Sequence, residues 1–138
     1  MQFKIDTKER FQVVTVQESY LTATMAEELS NQLRPYLQNG GGEVHAQSGP
    51  PTNMVLILNE VTGMENEAAE TLAELQQYFY DQNASFVICH LQPLVENQLD
   101  ELGLLEVMNI TPTESEAWDI VQMEEIEREL LGDDPDHS

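Results

Sequence analysis

Two short apolar segments constrain the fold of this chain more than any other feature of its sequence. Residues 54–58 (MVLIL) form a continuous apolar run, and residues 85–90 (SFVICH) contain a second one. Runs of this length without alternation are typical of strands that are buried on both faces of a parallel sheet. Such a sheet needs helices on its faces, so these segments predict an α/β fold.

Helical periodicity separates the predicted strands. Apolar side chains recur at steps of three and four residues, the spacing that places them on one face of a helix. The expected buried faces comprise Ala26, Leu29, Leu33 and Leu37; Ala68, Leu72, Leu75 and Phe79; Leu94, Val95, Leu99 and Leu102; and Ala117, Ile120, Val121 and Met123, continued by Ile126 and Leu130.

Turn and cap signals set the order of the elements. A hairpin from residues 3–5 and 11–16, turning at residues 8–10, precedes the first helix. Residues 107–110 are expected to form a short last strand, and Thr113 to Glu116 read as a capping box for the final helix. The predicted order is β-β-α-β-α-β-α-β-α, with a mixed, mostly parallel sheet covered by helices.

The chain has 138 residues, a length that suits a single domain, which we assign to residues 1–131. Within it, Gly and Pro breakers predict a long, mobile loop insert at residues 38–52. Pro35, just before this loop, should weaken the last turns of the first helix. Residues 132–138 are expected to form an acidic, flexible tail.

The net charge of −21, from 26 acidic and 5 basic residues, limits the partners of this chain. Nucleic acids attract proteins through Lys and Arg contacts to phosphate, so this chain should be repelled by DNA and RNA. Anionic membrane surfaces are disfavoured for the same reason. A basic protein partner is the natural complement, and an equally weighted alternative is that the charge serves solubility.

The single cysteine, Cys89, lies in the second apolar run and is expected to be a buried core thiol. One cysteine allows no internal disulfide, which fits a reducing compartment. The N-terminal residues predict a strand and not a signal peptide, and no run reaches the length of about 18 apolar residues that predicts a membrane span. We therefore expect a cytoplasmic protein.

The sequence offers no catalytic or metal-binding motif. His45, His90 and His137 are far apart and have no ligand spacing, and the serines show no nucleophile elbow. The glycines at 40–42 are not followed by the lysine of a phosphate-binding loop. Glu124, Glu125, Glu127 and Glu129 are interpreted as a solvated helix face. We expect a protein that is not an enzyme and that uses neither cofactor nor metal.

Several short sequence segments, taken in their order along the chain, resemble the STAS domain, the fold of bacterial anti-sigma factor antagonists. They are Asn59-Glu60-Val61 after the first apolar run, Pro93 and Val95 after the second, Leu102-Gly103-Leu104, and Thr113 with Glu116-Ala117. The resemblance covers residues 2–123. The stretch Met123 to Leu130 is similar to the ending of single-domain members from the Bacteroidetes group.

The resemblance implies a regulatory site at Gly63 to Ala68. Family members carry an Asp-Ser-Ser/Thr-Gly motif there, and a kinase that is also the anti-sigma factor phosphorylates a serine in it. Here Glu65 replaces the aspartate, and Asn66 and Glu67 replace the hydroxyl residues. The resemblance thus implies a binding module for signalling and regulation of transcription that has lost its phosphorylatable serine. Its expected contacts with a partner are Met64, Glu65, Asn66, Glu67, Thr22 and Thr24.

Two interpretations of the altered motif remain open. Glu67 adds one negative charge where phosphoserine carries roughly −1.5 to −2, so the segment could imitate the phosphorylated, non-binding state. Alternatively, Asn66 caps the following helix, and Glu65 and Glu67 favour its positive N-terminus.

The partner implied by the resemblance is a histidine-kinase-like anti-sigma factor. An alternative is a transporter ATPase, because stand-alone STAS proteins also resemble a subunit that stabilises ABC-type lipid transporters. The chain itself is expected to be a monomer or a weak homodimer.

Overall fold

A five-stranded sheet organises the molecule. The computed structural model describes residues 1–8, 11–39 and 52–132. In their order across the sheet, its strands are β1 (Phe3–Thr7), β2 (Phe11–Val16), β4 (Asn53–Ile57), β6 (Phe86–Cys89) and β7 (Ile110–Thr111). A separate two-stranded ladder joins β3 (Tyr20–Leu21) to β5 (Gly63–Met64).

The sheet is mixed, as the sequence predicts. The β1 and β2 strands form an antiparallel hairpin in which Phe3 pairs with Val16 and Thr7 with Gln12. The β2–β4, β4–β6 and β6–β7 pairs are all parallel. Every residue of β4 and β6 is buried, which confirms that the two continuous apolar runs are strands covered on both faces.

Helices cover both faces of the sheet. They are α1 (Ala23–Leu33), α2 (Pro35–Asn39), α3 (Asn66–Asp81), α4 (Pro93–Glu101) and α5 (Glu114–Gly132). Apolar residues of α1, α3 and α4 share one core with the strands, and Phe79 packs edge-on against Phe86 with ring centroids 4.9 Å apart. Ala117 and Val121 of α5 cover the other face, against Val55, Val87 and Cys89 among others.

Helix boundaries follow from local chemistry. The side chain of Thr22 accepts a hydrogen bond from the Met25 backbone N–H and caps α1. The α1 helix ends at Leu33, and Pro35, whose ring suits a first helical turn, begins the short α2. Asn83 follows α3 with a φ of 64°, a left-handed conformation that is common just after a helix end.

The last strand lies later than the sequence predicts. Residues 107–110 were expected to form it, but the strand is Ile110–Thr111, paired with Ile88 and Cys89. Val107 and Met108 donate backbone hydrogen bonds to the Leu104 carbonyl, so a turn occupies this segment. Val107 is accordingly exposed, although its β-branched side chain favours strands.

Some predicted inner faces contain residues that point outward. Leu94 is exposed on α4, whereas Val95 and Leu99 are buried. On α5, Ala117 and Val121 are buried and Ile120 is half-buried. Met123, Ile126 and Leu130 are exposed, because the inward face of Ala117 and Val121 continues through Glu124 and Arg128, on the opposite side of the helix.

Three predictions fall wholly or partly outside the described residues: the turn at residues 8–10, the loop insert and the tail. The predicted insert at residues 38–52 begins too early, because the backbone of Gln38 and Asn39 belongs to α2. The α5 helix extends to Gly132, the first residue of the predicted tail. Over the described ranges, no helix is long and apolar enough to cross a membrane.

Candidate functional site

The short β3–β5 ladder brings the beginnings of α1 and α3 together. Tyr20 pairs with Gly63 and Leu21 with Met64, and the Glu65 backbone N–H donates to the Leu21 carbonyl at 2.9 Å. Gly63 lies against the Tyr20 ring, where a Cβ atom would meet ring carbons at 3.4 Å. The segment that resembles the family motif therefore lies next to the Thr22–Thr24 turn.

Glu65 links the two helices through its side chain. Its Oε1 accepts a hydrogen bond of 2.6 Å from the backbone N–H of Ala23, the first residue of α1. A helix start leaves N–H groups without intrahelical acceptors, and a carboxylate there also interacts favourably with the helix dipole. Glu65 thus stabilises α1, although it lies at the N-cap of α3 and makes no side-chain cap bond there.

Asn66 does not cap α3, contrary to one of the two interpretations of the motif. The helix begins at Asn66 itself, after Glu65. The Asn66 Oδ1 instead accepts a hydrogen bond of 2.9 Å from Nε2 of Gln98 on α4. The same Gln98 nitrogen donates to the Met64 carbonyl at 2.6 Å, so α4 fixes the conformation of the segment.

The predicted contact residues differ in their accessibility. Glu65, Asn66, Glu67 and Thr24 are exposed, and Thr22 is half-buried beneath them. The Met64 side chain is only 3% exposed and belongs to the core, so a partner cannot reach it. The Glu65, Asn66 and Glu67 side chains therefore form an acidic and amide-bearing surface at the junction of α1 and α3, which we call the junction surface.

A second polar cluster lies at the other end of the parallel strands, where β6 and β7 begin. Oε1 of Glu124 accepts hydrogen bonds from the Ser85 hydroxyl at 2.6 Å and from the Tyr80 hydroxyl at 2.8 Å. Nδ2 of Asn109 donates to the Tyr80 hydroxyl at 2.6 Å. Burial, followed by the hydrogen bond to Glu124, raises the pKa of Tyr80 to about 12, so this hydroxyl remains a donor.

Arg128 extends this cluster towards β4. Its guanidinium donates to the Ser85 hydroxyl at 3.2 Å and to Oδ1 of Asn53 at 3.1 Å, and Nδ2 of Asn53 donates to Glu125 at 2.9 Å. The prediction that Glu124 and Glu125 lie on a solvated helix face is therefore wrong. The contact of Ser85 with Glu124 holds α5 against the sheet. Because Ser85 is fully buried, a substrate cannot reach its hydroxyl as a nucleophile.

Cys89 is a buried thiol, as expected. It is fully buried, and burial, together with the nearby Glu114 carboxylate, raises its pKa to about 12. A thiol is nucleophilic as the thiolate, so Cys89 is unreactive in the folded chain at neutral pH.

His90 follows Cys89, the last residue of β6, and has a φ of 60°. It borders a shallow, open cavity of about 490 Å³ whose lining also includes Lys4, Lys8, Glu60 and Glu114. His45 and His137 lie outside the described residues. Among the residues that are described, no three His, Cys, Asp or Glu side chains are grouped so that they could hold a metal ion.

The sequence does not reveal the roles of Glu65 and Gln98 in organising the site. Both roles depend on the β3–β5 ladder, whose two-residue strands carry no periodic signal. The segment Thr62-Gly63-Met64 offers only a glycine, next to the Tyr20 ring. No spacing in the sequence indicates that Gln98, more than thirty residues away, would contact Asn66.

The sequence matches the family model of the STAS domain over residues 2–117. No curated protein sequence matches the chain significantly. The match includes β1 to β7 and the first residues of α5, and it therefore contains the junction surface.

Solved structures with the same fold include proteins of two kinds. A proposed anti-sigma factor antagonist of Thermotoga maritima is 17% identical, with a TM-score of 0.66 over 87% of this chain and 94% of that one. An anti-sigma-factor antagonist (STAS) domain protein of Planctomyces limnophilus is 18% identical, with a TM-score of 0.66 over 87% and 97%. The murine anion transporter Solute Carrier 26 family member A9 is 14% identical, with a TM-score of 0.65 over 86% of this chain and 18% of the transporter.

Proposed function

The chain belongs to the STAS domain family, and from this premise we propose that it is a non-catalytic module that binds a regulatory protein through the junction surface. The proposed contacts are Glu65, Asn66 and Glu67, with Thr24 beside them and Thr22 beneath. The observation that carries the proposal is the exposure of this segment at the motif position, while its backbone is held by Leu21 and Gln98.

Rigidity of the segment supports a role in binding. The β3–β5 ladder anchors it on the N-terminal side, α3 continues from it, and Glu65 and Asn66 each have a hydrogen-bond partner on a different helix. A preorganised surface loses little conformational freedom when a partner binds, so more of the interaction energy appears as affinity. The acidic side chains favour a partner with basic residues at the contact.

We further propose that binding through this surface is not switched by phosphorylation at the motif. Asn66 and Glu67 have no hydroxyl to accept a phosphoryl group. Thr62 is exposed nearby, but its hydroxyl donates to the Ser19 carbonyl at 3.0 Å, outside the motif position. In this proposal the chain resembles an anti-sigma factor antagonist with one constant state, and its partner is a histidine-kinase-like anti-sigma factor in the cytoplasm.

A pull-down followed by affinity measurements tests this function. The tagged chain is used to recover a partner from the native lysate, and the affinity of that partner is measured for the wild type and for Glu67→Gln. The variant should weaken binding about tenfold, the effect of losing about 1.4 kcal/mol of interaction. The matched control is Glu74→Gln, which removes the same charge from an exposed position on the same helix.

Each outcome of this measurement has a meaning for the proposal. Equal affinities for Glu67→Gln and Glu74→Gln would contradict the junction surface as the contact. A gain in affinity for Glu67→Gln alone would show that Glu67 imitates a phosphorylated residue and blocks the contact.

A transport role is the second candidate. The solved anion transporter has the same fold in a part of its chain, so this fold also occurs in transport machinery. A stabilising subunit of an ABC-type lipid transporter would need no phosphorylatable serine, in agreement with Asn66 and Glu67. Recovery of a transporter ATPase in the pull-down, in place of a sigma regulator, would select this candidate.

A further inference from the structure

The C-terminal half of α5 has its polar and apolar faces reversed. Helical residues are about 100° apart around the axis, so Met123, Ile126 and Leu130 fall on one stripe. Their side chains are 60%, 55% and 72% exposed. A helix on the surface of a domain normally turns such a stripe towards the core.

Polar side chains occupy the inner face of the same turns. Glu124 is bound to Ser85 and Tyr80, and Arg128 to Ser85 and Asn53. These contacts fix the rotation of the helix, because turning the apolar stripe inward would leave the buried hydroxyl of Ser85 without its partners. The hydrogen bonds of Glu124 and Arg128 on the inner face thus keep Met123, Ile126 and Leu130 on the outside of the helix.

The stripe differs from the other exposed apolar residues of the chain. Leu94 on α4 and Val107 in the Leu104–Met108 turn are 70% and 75% exposed, but each is the single exposed apolar residue of its segment. Single exposed apolar residues are ordinary on protein surfaces, whereas a continuous stripe with polar borders is characteristic of an interaction site. The stripe lies on the part of α5 that follows Ala117 and Val121. Those two residues pack against the sheet, whereas the part of the helix that carries the stripe contacts the sheet through polar side chains.

The charges around the stripe restrict what can cover it. Asp119, Glu127 and Glu129 are exposed along its borders, and Arg128, the only basic residue in α5, is turned towards Ser85 and Asn53. If a second copy of this chain covered the stripe, the acidic borders of the two copies would face and repel each other, and each molecule has a net charge of −21. A helix with an apolar stripe bordered by Lys and Arg would be complementary in both respects.

We propose that Met123, Ile126 and Leu130 form a second docking surface, which binds a basic amphipathic helix of a partner protein. This surface lies outside the junction surface and shares no residue with it. A STAS domain built in this way can hold two proteins at once, one at the start of α3 and one along α5.

A designed peptide tests the docking surface directly. The probe is a fluorescent helical peptide about five turns long, with Leu on one face and Lys on the other, titrated with the full chain at about 0.15 M salt. The double variant Ile126→Ser/Leu130→Ser should raise the dissociation constant at least about tenfold. Its matched control is Leu94→Ser/Val107→Ser, which removes two apolar side chains outside α5 that are at least as exposed, and it should leave affinity unchanged.

Two control peptides separate the stripe from general attraction to an acidic chain. One has the same Leu and Lys composition in an order without an apolar face, and the other has Glu in place of Lys. The proposal requires weak binding of both. Equal binding of the reordered peptide, equal binding of the Glu peptide, or an unchanged dissociation constant in the α5 variant would each overturn it.

Amide chemical shifts distinguish this proposal from the proposed function. The peptide should perturb residues 116–130 and leave residues 63–67 unperturbed, and Glu67→Gln should not change its affinity. Perturbation centred on 63–67 would overturn the α5 surface. Light scattering that shows a dimer of the chain, lost in Ile126→Ser/Leu130→Ser, would also overturn it, because a second copy would then be the occupant.

Discussion

At the residue scale, Glu65 shows how one side chain can serve both structure and binding. Its carboxylate accepts the Ala23 N–H, while much of the residue stays exposed next to Asn66 and Glu67. In the family pattern an aspartate occupies this position. The longer glutamate still reaches across the β3–β5 ladder to α1, so the link between the helices does not require a phosphorylatable neighbour.

Removing the Glu65 carboxylate should destabilise the chain. Glu65→Ala is expected to lower the free energy of unfolding by about 1 kcal/mol, since the first N–H of α1 loses its acceptor and the helix dipole loses a favourable charge. Urea denaturation measures the effect. Glu60→Ala, an exposed residue with no side-chain hydrogen bond among the described contacts, is the control. Equal stability of the two variants would show that the Glu65–Ala23 bond contributes nothing.

Cys89 and Tyr80 predict a loss of stability in alkali. The pKa of each is raised to about 12 in the folded chain, from 9.0 for the cysteine and 10.0 for the tyrosine. The unfolded chain therefore releases these protons first, and the free energy of unfolding should fall as the pH rises from about 9 towards 12. Denaturation across this range should show a smaller fall in Cys89→Ala. An identical slope in wild type and variant would contradict the buried, protonated thiol.

At the element scale, the α5 helix is held by two different kinds of contact. Ala117 and Val121 pack on the sheet, whereas Glu124 and Arg128 make hydrogen bonds to Ser85, Tyr80 and Asn53. The inner face of α5 thus changes from apolar to polar along the helix, and Met123, Ile126 and Leu130 lie on the outer face of the polar part.

The hydroxyl of Tyr80 should be necessary for the stability of α5. Tyr80→Phe is expected to lower the free energy of unfolding by about 1–2 kcal/mol, because Glu124 loses a donor and Asn109 an acceptor in a partly buried cluster. Tyr20→Phe is the matched control, since the Tyr20 side chain is half exposed. Urea denaturation of both variants makes the comparison, and equal effects would mean that the cluster is not stabilising.

The sequence predicted the elements better than their faces. The continuous apolar character of β4 and β6, and the stripes of α1 and α3, were enough to identify a mixed sheet covered by helices. It misplaced the last strand, because a turn at Leu104–Met108 competes with the β propensity of Val107. It also placed Met123, Ile126 and Leu130 inside, since periodicity cannot show that Arg128 finds partners on the sheet.

The candidate site was predictable only in part. The resemblance to the family indicated Glu65, Asn66 and Glu67 as contacts, which stays a prediction, and the structure shows that these residues are exposed. It also included Met64, whose burial follows from the β3–β5 ladder. Long-range hydrogen bonds, such as Gln98 to Asn66, depend on the packing of α4 and leave no local pattern in the sequence.

At the scale of the whole molecule, the charge of −21 is the dominant property. Among the residues that the structure describes, one ion pair is found, between the N-terminal ammonium and Glu28 at 3.4 Å. Most carboxylates therefore repel each other without local compensation. The same field should attract basic partners to both proposed surfaces and oppose self-association.

Salt should stabilise the folded chain. Raising the ionic strength from about 0.01 M to about 0.15 M shortens the Debye length from about 30 Å to about 8 Å and screens this repulsion. We expect the thermal unfolding midpoint to rise, with a monomer at both salt concentrations. Circular dichroism and light scattering make the two measurements. An unchanged midpoint would mean that the carboxylates are compensated within the fold.

Hydrogen–deuterium exchange on the chain, alone and bound to the protein recovered by pull-down, tests the central proposal most directly. Exchange reports on backbone amides, and those at the starts of α1 and α3 adjoin the junction surface. We predict slower exchange at residues 22–27 and 65–70 in the complex, and loss of that protection in Glu67→Gln. Protection confined to other parts of the chain, with unchanged exchange at both helix starts, would contradict the junction surface as the binding site.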